Sequence, residues 1–135
     1  MTVTKDSGRQ YVLSTDYLTV DIVSLDTSAA VEEVFDLPAN AVVVGGEIIV
    51  DTVWNSGTSD VLDLGDDADT NRYLAAVDLT ALARTEFVAA NLGFLNTESN
   101  TVDAIWTGVG AAPSTGSARI RLFYLIQNRT NENMG

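Results

Sequence analysis

The fold that this sequence predicts is all-β: an antiparallel β-sandwich, jelly-roll-like, with at most one short helix. Three observations predict it. Apolar and polar residues alternate with period two in several short runs, the pattern of strands with one buried face. Turn-forming residues punctuate those runs at roughly 8–12-residue intervals, as in sandwiches and jelly rolls. No segment carries a long amphipathic helical period.

The 135 residues suit a single domain that buries a core without disulfides or metal staples. Residues 1–16 read as an extended N-terminal arm, residues 17–127 as the sandwich, and residues 128–135 as a polar tail. The arm is polar except for one apolar patch, Tyr11, Val12 and Leu13.

In residues 17–25, Leu18, Val20 and Ile22 share one face, and Thr19, Asp21 and Val23 the other. Asp26, Thr27 and Ser28 then signal a turn. A second strand over residues 30–35 sets Val31, Glu33 and Phe35 against Ala30, Glu32 and Val34. Leu37 and Pro38 end it, because proline restricts both itself and the residue before it. Residues 41–54 are rich in valine and isoleucine and read as a long strand. Gly45 and Gly46 mark a bulge or corner within it. Residues 59–64 are expected to return as its hairpin partner. For residues 75–93 the expectation is a short helical turn capped by Thr80, followed by an irregular strand. Residues 101–107 alternate again. The pattern is strongest in residues 117–127, where Ile120, Leu122, Tyr124 and Ile126 oppose Arg119, Arg121, Phe123 and Leu125.

Composition excludes several functions. With no cysteine and no histidine, the chain lacks a thiolate, an imidazole base and the commonest metal ligand. Nineteen acids face seven bases, a formal charge of −12. A nucleic-acid backbone or an anionic membrane surface repels such a chain. The first ten residues have no apolar stretch of the kind a secretory signal needs, so synthesis in a cytoplasm is expected.

Residues 60–69 hold Asp60, Asp63, Asp66, Asp67 and Asp69. Calcium takes six to eight oxygens, and Asp63, Asp66, Asp67 and Asp69 are the candidates to supply them. The twelve-residue EF-hand pattern is absent, and a solvated loop of local aspartate turns explains the run equally. No other cofactor is expected. A carboxylate pair for glycoside hydrolysis always occurs by chance among so many acids. Trp54 and Trp106, on apolar strand faces, read as core rather than as sugar-stacking platforms. Arg119, Arg121 and Phe123 on the last strand read either as a salt-bridged outer face or as a subunit interface.

Four pieces in order carry a family resemblance: L-P-x-x-A-V-V-x-G-G at residues 37–46, N-S-G-T-S-D and D-x-G-D within residues 55–66, Arg72-Tyr73, and W-T-G-x-G-A-A-P-x-x-G at residues 106–116. Together they resemble small virion structural proteins of tailed bacteriophages, similar to capsid decoration, or cement, proteins. The resemblance covers roughly residues 35–127. It implies a protein with no active site on the capsid exterior, bridging capsomers. The partners it implies are the major capsid protein and further copies of itself, a trimer being favoured over a dimer. Tyr11, Val12, Leu13, Arg119, Arg121 and Phe123 are the interface candidates. A neck, tail or head-fibre component, or a calcium- or carbohydrate-binding sandwich module, is the alternative.

Overall fold

The computed structural model describes residues 11–130, with side chains described from residue 13 to residue 127. Nine strands and one 3-10 turn make up these residues. They are β1 (Tyr11–Asp21), β2 (Val31–Leu37), β3 (Ala41–Thr52), β4 (Gly57–Gly65), β5 (Leu74–Asp78), β6 (Arg84–Glu86), β7 (Leu95–Asn96), β8 (Asn100–Gly110) and β9 (Ser117–Thr130). Every pairing is antiparallel. One sheet runs β1-β9-β3-β6, with β7 also on β3; the other runs β2-β8-β4-β5. We call these the first and second sheets. Their facing sides enclose one core, and the expected antiparallel sandwich is the observed fold.

Alternation explains which side faces in. On β9, Ala118, Ile120 and Leu122 are fully buried, and on β3 Ile48 and Val50 lie opposite them. The second sheet answers with Leu62 and Leu64 of β4 and with Val102, Ala104 and Trp106 of β8. Trp54 and Trp106 are both core residues, 1% and 4% exposed. The Gly45–Gly46 bulge is present as a register shift between Val43 and Gly45. Gly46 lacks a side chain for a steric reason: a Cβ there would lie 2.2 Å from the Phe87 ring and 2.6 Å from the Arg121 carbonyl oxygen.

Six expectations need correction. Residues 57–65 do not form a hairpin with β3. Strands β3 and β4 lie in different sheets, and the chain crosses between them at residues 53–56. The crossing is pinned by the buried Trp54, whose backbone N–H donates to the Leu79 carbonyl at 3.0 Å, and by Asp60, which accepts from the Ser56 backbone N–H at 3.0 Å. Local turn residues look alike whether the chain doubles back or changes sheet, so the sequence pattern did not separate the two.

Strand β1 begins at Tyr11 rather than Tyr17, so residues 11–16 of the expected arm pair with β9. It ends at Asp21 rather than running on to Leu25. The Asp21 carboxylate takes the N–H groups of Val23 and Ser24 at 3.0 and 2.9 Å and folds the chain into a turn. In β2 a bulge between Glu33 and Phe35 sends Val31 outward and Phe35 inward, so the two do not share a face. The Thr80 helix does not form. Asp78 accepts both the Thr80 N–H and hydroxyl, at 2.8 and 2.6 Å, and this local turn competes successfully with a helical cap. The one 3-10 turn comes later, at Ala89–Asn91. Finally, β9 continues to Thr130, into the expected tail. Residues 1–10 and 131–135, the remainder of the arm and tail, lie outside the described residues.

Candidate interaction surface

The aspartates of residues 60–69 serve several separate purposes. Asp60 is 1% exposed. It accepts from the Ser56 N–H and hydroxyl at 3.0 and 2.7 Å, and from the Trp106 indole N–H at 3.0 Å. This carboxylate ties the sheet crossing to the core. Asp63 accepts the Ala76 N–H at 2.7 Å, holding a non-glycine residue at φ +48° within β5. Asp66 is also buried, and receives the Arg72 guanidinium at 2.7 and 3.3 Å together with the N–H groups of Ala68 and Asp69. Asp69 takes the Asn71 N–H at 3.2 Å, and Asp67 is exposed. Four carboxylates bound to different donors do not converge. Among the described residues, no three acidic side chains are grouped to hold a metal ion.

The loop that Arg72 closes delivers Tyr73 into the interior, where it stacks on Phe87 at 5.4 Å. Burial pushes the Tyr73 phenol up to about 12, and the nearby Asp66 charge adds to the rise. The Arg72-Tyr73 pair therefore works as a clasp between loop and core.

The outward faces of the two sheets differ in chemistry. On the second sheet, register aligns Glu33 with Asp103 and Ile105 with both Val31 and Asp63. Glu33, Asp36 and Asp67 line an open depression of ≈ 460 Å³ with Ser99, Asn100 and Thr101. Asp103 lies buried beside it and accepts the Thr101 hydroxyl at 2.8 Å. Burial raises the Asp103 carboxyl above its ordinary range, and the neighbouring Asp67 and Glu33 push it further in the same direction.

The first sheet pairs its charges. Arg119 makes a two-pronged contact with Asp51 at 2.8 and 3.1 Å. Glu47, 4% exposed, receives both Arg84 and Arg121, and Arg84 also reaches Glu86 at 2.9 Å. Arg119 and Arg121 share a face as expected, on strand β9, which lies between β1 and β3. Glu47 is the residue that sequence reasoning missed. It read as a polar break in a valine-rich run. Its signal was its register, because the only partners that make a buried glutamate tolerable stand on two neighbouring strands distant in sequence.

Along the same face the charged rows give way to apolar ones. Leu13, Leu125, Val42 and Leu95 stand side by side on β1, β9, β3 and β7. Leu13 is 57% exposed and Leu95 41%. Phe123 sits in the next row, in contact distance of Gly45. Of the sequence's interface candidates, the structure thus brings Leu13, Phe123, Arg119 and Arg121 onto one face. The side chains of Tyr11 and Val12 lie outside the described ones.

Comparison with solved structures places the fold. A chain of the cyanophage Pam1 capsid asymmetric unit superposes with a TM-score of 0.71 at 21% identity, over 93% of each chain. A chain from the acidic stable capsid structure of Helicobacter pylori bacteriophage KHP30 gives 0.67 at 16% identity, over 87% of this chain and 90% of that one. A chain from the capsid of Ralstonia phage GP4 gives 0.60 at 20% identity, over 95% and 92%. This sandwich is a fold found in bacteriophage capsids. No protein-family model and no curated protein matches the sequence.

Proposed function

We propose that this chain is a bacteriophage virion structural protein that decorates the capsid exterior and bridges neighbouring capsomers. The observation that carries the proposal is the end-to-end likeness of its fold to chains of three phage capsids. The order of the sequence motifs supports it independently. So does the charge: a chain at −12 suits a solvated exterior better than a DNA-filled interior.

The reading is structural rather than catalytic. The chain acts by burying surface across subunit boundaries, so that parting two capsomers requires that contact to break first. Its partners in this reading are the major capsid protein and further copies of itself. A sugar-binding alternative gains nothing from the tryptophans, since both are in the core.

Mass spectrometry of purified virions tests the proposal. The expected result is this chain at a copy number comparable to that of the capsomers. A few copies per particle would place it at the neck or tail instead, and its absence would end the reading. Particles lacking the chain should release their DNA at a lower temperature than complete ones.

A further inference from the structure

We propose that the outward face of the first sheet is the surface on which a second copy of this chain docks. The inference deepens the homo-oligomer part of the reading above and rests on it for its biological setting.

Two observations carry it. The first is the apolar row of Leu13, Leu125, Val42 and Leu95, flanked by Phe123 and by Val44, which is 41% exposed at the bulge. Apolar residues adjoining across four strands form a patch rather than scattered exposed side chains, and such a patch marks a contact surface. The second is charge. Two copies that each carry −12 repel. They can approach only through a face where the acids are already neutralised. On this face Arg84, Arg119 and Arg121 balance Glu47, Asp51 and Glu86, which leaves only Asp21, at the end of β1, without a basic partner among the described residues. The opposite face fails that condition, because Glu33, Asp36, Asp63, Asp67 and Asp103 have no arginine or lysine paired with them among the described residues. A strongly basic partner would suit that acidic face; a like-charged copy suits only the balanced one. Arginine and aromatic side chains beside an apolar centre are the composition that subunit interfaces favour.

The test uses the purified full-length chain in light scattering coupled to size exclusion. The expected result is a mass that is a multiple of the 14.4 kDa chain. Leu125→Asp and Leu13→Asp should each weaken self-association at least tenfold, while Ile105→Asp on the opposite face should leave it unchanged. Leu13 is exposed on an outer strand, so its variant keeps the fold and decides the matter if Leu125→Asp loses its β circular-dichroism signal. A monomeric wild type overturns the proposal, as does an oligomer indifferent to both first-sheet substitutions. Virion mass spectrometry separates the two readings: a self-associating chain absent from particles removes the capsid role and leaves this interface standing.

Discussion

The two outward faces of the sandwich handle the same excess of acid in opposite ways. On the first sheet, Glu47 and Asp51 meet arginines across strand boundaries, and Glu86 meets Arg84 on its own strand. Glu47 is buried there because Arg84 and Arg121 flank it. On the second sheet, Glu33, Asp67 and Asp103 crowd together with no cation paired to them among the described residues, and burial together with these neighbours raises the Asp103 carboxyl. Both faces belong to one continuous core, so the contrast lies in outward side chains alone. It teaches that net charge is a poor guide to local surface character. A chain at −12 still presents one face where three arginines offset three of the acids.

The comparison can be broken most forcefully at Glu47. Glu47→Ala removes the anion that two arginines share. Loss of one partner from a fully buried pair costs about 3–5 kcal/mol. These guanidiniums are partly exposed and regain water, so about 1–3 kcal/mol is expected. Thermal unfolding should show a midpoint lowered by roughly 4–15 °C, and an unchanged midpoint would mean that Glu47 is not held by its arginines.

Asp103 should respond in the other direction. Its carboxyl is raised in the folded state, so its contribution to folding is complete below its ordinary value near 3.8. That contribution disappears as pH rises through the folded value, and at neutral pH the buried carboxylate opposes folding. Asp103→Asn keeps a partner for the Thr101 hydroxyl and removes the charge. It should raise the unfolding midpoint at pH 7 and lose that advantage near pH 3. Melts at the two pH values that show no crossover would remove the claim of repulsion on this face.

Salt gives a smaller effect that still separates the faces. Raising sodium chloride screens exposed like charges. It should stabilise the wild type and stabilise Asp103→Asn less. Smallest of all is Arg119→Ala. Its pair with Asp51 is exposed, and such pairs contribute little. Its midpoint should match wild type within error, whereas a drop as large as that of Glu47→Ala would make the whole ion-pair network cooperative.

Much of the fold is legible along the chain because strand periodicity is a local property. Ile120 and Leu122 point inward and Arg119 and Arg121 outward, as alternation requires. The glycine pair bends β3 where two successive residues without side chains permit it. Local competition between hydrogen bonds was harder to read. Asp21 and Asp78 each captured nearby N–H groups and replaced an expected strand end and helix cap with turns. A bulge in β2 changed which residues face the core, and a one-residue slip of that kind leaves no mark in composition.

The run from Trp54 to Tyr73 shows where reading by sequence stops. Its turn residues, alternating strand and aspartates were visible as they stand, and so was their exclusion of imidazole or thiolate chemistry. Its role as a bridge between sheets was not. That role depends on Asp60 meeting Trp106, and on Arg72 reaching Asp66 while Tyr73 stacks on Phe87. The sequence by itself determined the strand class, the buried alternation and the acid excess, because each arises from neighbours along the chain. Only the tertiary structure decided which acids are neutralised and which strand lies between which others. Those outcomes require residues far apart in sequence to meet across a sheet, and no local pattern records such a meeting.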